Sequence, residues 1–207
     1  VLTLKGCSVE TQIIAPSAVV LIPKNRGLAT MAEYALRTCL PRGAFERSFV
    51  RGEDVPLLAS EVARSGRPVV ALTGEDLLEE WLAGGRELDR RLTRSAIPWN
   101  DPQARYGKPA LCLIGPRGVA LPQSGELRVA VCAKYENVAR RFLQTLERPE
   151  LRIEPVAIAG TVEAAILHNI ADFMIDVVVS GKTIDELELE VQSIVMKSDL
   201  ALLEYSQ

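Results

Sequence analysis

Short aliphatic runs without polar alternation recur along this chain, and between them lie stretches whose apolar residues fall three and four apart. The runs are Ala18 to Ile22, Val69 to Thr73, Leu111 to Ile114, Leu127 to Val131, Arg152 to Ile158, Phe173 to Val179 and Ile194 to Leu203. An unbroken apolar strand needs cover on both faces, the condition of a parallel sheet flanked by helices. The stretches Leu28 to Leu40, Val55 to Arg64, Glu75 to Leu82, Val138 to Leu146 and Val162 to Asn169 carry the helical period that supplies the cover. Strand then helix, repeated, predicts an α/β fold.

A polar stretch from Gly84 to Gln123, with Gly84-Gly85, Pro98, Pro102, Gly107-Lys108-Pro109 and Gly115-Pro116, interrupts the pattern. With 207 residues in all, each half is too small for a full doubly wound domain. The expected arrangement is two α/β lobes with mixed or parallel sheets around a cleft. The first takes residues 1–100, joined by residues near 200–207, and the second residues 101–199.

Twenty-four Lys and Arg against 27 Asp and Glu leave a net charge of -3, so no general basic field draws nucleic acid. No apolar run approaches the roughly 18 residues of a membrane span. The nearest, Ile13 to Ile22, is broken by Pro16, lacks a basic leader and meets Lys24 and Arg26 at once. Neither a membrane nor a secretory signal is expected, and the cytoplasm is the expected location. Cys7, Cys39, Cys112 and Cys132 show no CxxC spacing and read as reduced core thiols. The single histidine, His168, gives no His-based metal cluster and reads as structural.

The segment Ala171-Asp172-Phe173-Met174-Ile175-Asp176-Val177-Val178-Val179-Ser180-Gly181-Lys182-Thr183-Ile184 is the most informative for chemistry. An acid-punctuated strand enters a small polar turn and then a helix start. Such a turn gathers backbone N–H groups and the Ser180 and Thr183 hydroxyls at one spot, where the following helix adds its positive end and Gly181 permits close approach. Phosphate suits that spot; an ordinary strand-turn-helix junction with a capping hydroxyl is the plainer alternative. The Walker A pattern is rejected, because Asp176 stands where it needs Gly and Val177 to Val179 where it needs a flexible loop. Asp172 and Asp176, four apart on the strand, should share a face and suit ribose hydroxyls or Mg2+ held through water. Asp176 is nearer the turn and the better candidate of the two; its plainer alternative is a strand-end carboxylate paired with a nearby Lys or Arg.

Taken together the motifs resemble ATP phosphoribosyltransferase in its short form, as a diverged member, over roughly residues 18 to 203. The family has Ala-Asp, three apolar residues, Asp and then Thr-Gly-x-Thr-Leu for the 5-phosphate of phosphoribosyl pyrophosphate; here Ser180 and Ile184 replace the Thr and Leu. Gly160-Thr161-Val162-Glu163 is similar to its Gly-Ser-Val-Glu, and Lys134-Tyr135-Glu136-Asn137 with Arg140 to its Lys-Tyr-Pro-Asn with a downstream Arg. Pro23-Lys24-Asn25-Arg26 resembles its Pro-Lys-Gly-Arg, Arg51 with Asp54-Val55-Pro56 its Arg-x-x-Asp-Ile-Pro, and Thr73-Gly74-Glu75-Asp76 its Thr-Gly-x-Asp. Asn25, Ala71, Glu136 and Asn169 depart from the pattern, at Gly, Gly, Pro and Gly respectively.

The resemblance implies an architecture similar to type II periplasmic-binding proteins. It also implies transfer of phosphoribose from phosphoribosyl pyrophosphate to N1 of ATP, the first step of histidine biosynthesis, with Mg2+ assisting the departing pyrophosphate. Asp176, Lys24 and Arg26 would be catalytic. Ser180, Gly181, Lys182, Thr183, Asp172, Gly160, Thr161, Glu163, Lys134, Arg51, Thr73, Gly74 and Asp76 would bind substrate. No metal ligand is directly assignable. Two alternatives stay open: a non-catalytic nucleotide or phosphosugar binder, and a two-lobe solute-binding protein. Short forms imply a homodimer and a regulatory subunit resembling histidyl-tRNA synthetase; with about twenty residues after the turn and its helix, no histidine-binding domain is expected.

Overall fold

The computed structural model describes residues 18–39 and 46–206, apart from the side chains of Arg26, Thr38 and Cys39. In chain order come β1 (Val19–Pro23), α1 (Arg26–Cys39), β2 (Glu46–Val50), α2 (Val55–Arg64), β3 (Val69–Gly74), α3 (Glu75–Ala83), β4 (Leu92–Ile97) and β5 (Ala110–Pro116). Then follow β6 (Gly125–Cys132), α4 (Glu136–Gln144), β7 (Leu151–Ile158), α5 (Glu163–Leu167), β8 (Phe173–Val178), α6 (Lys182–Glu186), β9 (Leu189–Lys197) and β10 (Leu200–Tyr205). The chain divides into two units, one reaching Asn100 and resuming at Asp199, the other running from Asp101 to Ser198.

The first unit is built on a five-stranded sheet in the order β2-β1-β3-β10-β4. β1 runs parallel to β2 and β3, and β10 antiparallel to β3 and β4. Every residue of β1 and β3 is buried, as the continuous apolar runs require, and α2 supplies Val55, Ala59 and Ala63 to the same core. The small alanines let the helix lie close to the sheet.

The second unit repeats the plan with the order β7-β6-β8-β5-β9. β6 is parallel to β7 and β8, whereas β5 is antiparallel to β8 and β9. Ala110, Cys112 and Ile114 of β5, Ala130 of β6 and Met174 of β8 form a core with Val162, Ala165 and Ile184. Gly115 is obligatory, because a Cβ there would stand 2.2 Å from the Phe173 ring.

Two sequence expectations are corrected. The runs at Leu111 to Ile114 and Ile194 to Leu203 are antiparallel strands: β5 and β10 are buried, and burial on both faces dictates apolar residues whatever the strand direction, whereas β9 is a largely half-buried edge strand. The second run is also two strands, β9 and β10, which part at Ser198-Asp199 and join different sheets.

Candidate active site

In an open α/β sheet the loops after parallel strands gather at one edge, where ligands bind. In the second unit Cys132 pairs with Ile158 and Val131 with Ile175, so the C-terminal ends of β6, β7 and β8 lie together. Lys134 follows β6, Gly160, Thr161 and Glu163 follow β7, and Ser180 to Thr183 follow β8. A pocket of about 210 Å³ opens there, lined by Glu163, Asp176, Ser180, Gly181, Lys182 and Thr183 with apolar Ile114, Met174 and Ile184. Gly160 and Thr161 are exposed on the approach to Glu163. Lys134 is exposed, with its ammonium 5.0 Å from the Tyr135 ring centroid.

The turn is shaped by its glycine. Gly181 has φ 79° and ψ 4°, the left-handed region where a Cβ is penalised. The Lys182 N–H donates to Ser180 Oγ at 3.3 Å, and the Asp185 N–H to the Gly181 carbonyl at 3.1 Å. α6 has only five residues. The helix field expected from the sequence therefore shrinks to the amides of a single turn.

Asp176 Oδ1 accepts from the Val177 N–H at 2.8 Å. Burial pushes its carboxyl above the ordinary carboxylate range; the Val177 N–H pulls it back, the Glu163 charge raises it and Lys134 lowers it. Two carboxylates sharing one pocket, one of them desolvated, favour a cation or a hydroxyl-rich ligand. Burial also lifts the thiol of Cys112 to about 11, and that of Cys132 above its usual value. Neither is an active nucleophile at neutral pH.

Asp172 lies elsewhere. It precedes β8, at the N-terminal end of the strand and so at the opposite edge of the sheet from the turn. Its Oδ2 accepts from the Arg128 N–H at 2.9 Å and its Oδ1 from the Arg128 guanidinium at 3.0 Å. Burial would raise its carboxyl, yet these bonds and the Arg128 charge outweigh it and hold the group below its ordinary value. The four-residue spacing suggested a shared role, but a strand's length separates the two ends.

In the first unit the parallel strands β1, β2 and β3 likewise end together, bringing Lys24, Arg51 and Gly74 to one edge. Lys24 is exposed, and its N–H donates to the Val50 carbonyl at 2.7 Å. Arg26 opens α1, and its side chain lies outside the described residues. Arg51 is exposed and pairs with Glu53 at 3.8 Å. Asp76 is 7% exposed at the start of α3. Thr73 is fully buried, its hydroxyl donating to the Gly52 carbonyl at 2.7 Å. That hydroxyl is spent on holding the turn at Gly52. Asn25 completes the latch, accepting at Oδ1 from the Gly52 N–H at 2.7 Å.

The family model for ATP phosphoribosyltransferase matches residues 51–207. The chain belongs to the ATP phosphoribosyltransferase family. It is 32% identical over 97 residues to the ATP phosphoribosyltransferase of Dictyoglomus thermophilum, an alignment covering 47% of this chain and 45% of that protein. The chain thus spans about half the length of this curated relative. Among solved structures, the ATP phosphoribosyl transferase (HisG:HisZ) complex from Thermotoga maritima superposes with a TM-score of 0.64 and 20% identity, over 91% of this chain and 87% of that one. The periplasmic aliphatic sulphonate binding protein SsuA from Escherichia coli gives 0.50 and 12% identity, over 89% and 64%. These two likenesses carry the two-lobe fold alone.

Set against the family pattern, two departures acquire structural work. Asn25, in place of Gly, supplies the acceptor that pins Gly52. Glu136, in place of Pro, accepts from Arg140 at 2.6 Å, an exposed pair one helical turn apart that engages the downstream Arg of the ATP phosphoribosyltransferase motif. Sequence reasoning missed Arg105, whose guanidinium lies against Gly181 and bonds Asp185 at 3.0 Å. Arg105 sits in a loop distant in sequence from the motif, so no spacing could have found it. His168 is exposed in the turn after α5. Among the described residues no group of three or more His, Cys, Asp or Glu could hold a metal ion, and no helix is long and apolar enough to cross a membrane.

Proposed function

We propose that this chain transfers phosphoribose from phosphoribosyl pyrophosphate to N1 of ATP and releases pyrophosphate, the first step of histidine biosynthesis. The observation that carries the reading is the pocket in which the Ser180 to Thr183 turn meets Asp176 and Glu163. An anion-binding turn beside carboxylates suits a sugar that carries phosphate at one end and hydroxyls along its ring. Ser180, Gly181, Lys182 and Thr183 would hold the 5-phosphate, and Asp176 the ribose hydroxyls. Glu163, Lys134, Gly160 and Thr161 would complete that side. Lys24, Arg26 and Arg51 are proposed for the phosphates of the other substrate, with Gly74 and Asp76 as further contacts to that substrate.

The carbon under attack develops oxocarbenium character and the leaving group is already good, so positioning and charge stabilisation are sufficient catalysis. Asp176, close to Glu163, would hold a ribose hydroxyl and stabilise the positive charge that grows on the ring. A bound Mg2+ would supply charge neutralisation to the departing diphosphate. Asp176 and Glu163 fit that ion as water-mediated partners, since Mg2+ commonly takes one or two carboxylates plus substrate oxygens.

We further propose a homodimer that works with a regulatory subunit resembling histidyl-tRNA synthetase, in the cytoplasm. The Thermotoga maritima neighbour is a HisG:HisZ complex, which supports looking for such a partner. The deciding experiment is coupled pyrophosphate release with ATP and phosphoribosyl pyrophosphate, with and without Mg2+. Release that depends on both substrates and on Mg2+ is expected. The Glu136–Arg140 pair favours a second reading, a nucleotide or phosphosugar binder without turnover. Calorimetric binding of phosphoribosyl pyrophosphate with no pyrophosphate release would select it.

A further inference from the structure

Arg105 is carried on a loop that closes on itself. The Asp101 N–H donates to the Gly107 carbonyl at 2.8 Å, the Ala104 N–H to the Asp101 carbonyl at 3.0 Å, and the Gly107 N–H to the Ala104 carbonyl at 2.9 Å. Asp101 Oδ1 accepts from the Gln103 N–H at 2.9 Å. From this fixed base Arg105 reaches the phosphate turn at three places. Its backbone N–H donates to the Val179 carbonyl at 2.7 Å, just before the turn. Its guanidinium donates to Asp185 Oδ1 at 3.0 Å, on the helix just after it. Between the two it covers Gly181, where a Cβ would stand 2.8 Å from Nη1 and 2.9 Å from Cδ.

We propose that Arg105 is a positioning residue that holds the Ser180 to Thr183 turn in the shape that receives a sugar phosphate. The inference rests on the proposed reading of that turn as the 5-phosphate site. A left-handed glycine followed by five helical residues has little local stability, since so short a helix does not sustain itself. If the turn had to be ordered by its ligand, that ordering would be taken out of the affinity. Arg105 orders it beforehand from both flanks. The missing Cβ of Gly181 therefore makes room for a side chain of the protein. The pair with Asp185 is 41% and 58% exposed, so it adds little to global stability and its effect should fall on the turn.

The test is calorimetry with ribose 5-phosphate on the full chain and on Arg105→Ala, Arg105→Lys, Asp185→Asn and the Arg105→Ala/Asp185→Asn double variant, with melting temperatures in parallel. Arg105→Ala should raise Kd about tenfold and Asp185→Asn about threefold, with the double variant no worse than Arg105→Ala and melting temperatures little changed. Arg105→Lys should recover part of the loss. With both substrates, KM for phosphoribosyl pyrophosphate should rise while kcat holds. An unchanged Kd in Arg105→Ala overturns the proposal and leaves the phosphate reading standing; if that variant does not fold, an unchanged Kd in Asp185→Asn does the same. Additive effects in the double variant overturn it too, because the two groups would then act separately. If the unaltered protein does not bind ribose 5-phosphate, the phosphate reading falls and Arg105 loses its purpose with it.

Discussion

Asp172 and Asp176 are held by opposite forces, and the difference can be measured. Burial keeps the Asp176 carboxyl above its unfolded value, so the native state binds more protons than the unfolded one. Stability then falls as pH rises from the unfolded value through the folded one, and the cost persists above it. Asp176→Asn should melt higher than the unaltered chain at pH 7, with the difference shrinking in acid, while pyrophosphate release drops more than tenfold. An Asp176→Asn chain that melts lower and turns over normally would contradict both halves. For Asp172 the sign reverses. Its folded value lies below the unfolded one, so its stabilisation is present above the unfolded value and lost as pH falls through the folded one. With both side chains of the Asp172–Arg128 pair about two-fifths exposed, solvent screening limits the contribution to about 1 kcal/mol or less. Asp172→Ala should therefore cost about that much at pH 7, less in acid, and leave phosphoribosyl pyrophosphate affinity unchanged in calorimetry.

At the scale of elements, the latch across β1, β2 and β3 makes a separate prediction. The buried Thr73 hydroxyl and the Asn25 amide oxygen satisfy the carbonyl and the N–H of Gly52. A Cβ on Gly52 would stand 2.8 Å from Leu77 Cδ1 and 3.2 Å from Asn25 Oδ1, so the turn has no slack. Thr73→Val should destabilise the chain by about 1–3 kcal/mol in denaturant melts, and Thr73→Ser should restore most of it. Which elements were legible follows the same physics. β1, β3, β6 and β8 announced themselves because burial on both faces forbids polar residues along most of their length. β2 and β4, at the edges of their sheet, are largely exposed and carry Glu46, Arg47, Thr93 and Arg94, so no apolar run marked them. β9 and β10 read as one strand, because Ser198-Asp199 is too short a break to register as a boundary. The Ser180 to Thr183 turn was visible from its small polar residues. The latch role of Thr73 and the presence of Arg105 were not, since each depends on partners that only the folded sheet brings near.

For the molecule as a whole, the two units differ in how they use the chain. The second is continuous from Asp101 to Ser198 and includes every strand of its sheet. The first is not, because β10 lies between β3 and β4 and is the only described strand joining them. Leu200, Ala201, Leu202 and Leu203 of β10 are buried, with Ala201 and Leu203 in the same core as Val55, Ala71 and Leu78. The return is also pinned at its start, where the Asp199 carbonyl accepts from the Glu75 N–H at 2.9 Å and its Oδ1 from the Trp99 N–H at 2.7 Å. A fragment of residues 1–100 would leave the inner edges of β3 and β4 unpaired and expose the apolar surface that β10 covers. It should fail to fold, giving no cooperative melt and no dispersed amide spectrum. A fragment of residues 101–198 should fold alone, melt cooperatively and bind ribose 5-phosphate, because its sheet, its core and the Arg105-held turn all lie within it. A folded first fragment, or a second fragment that stays unfolded, would show that the division of the core between the units is not the division of their stability.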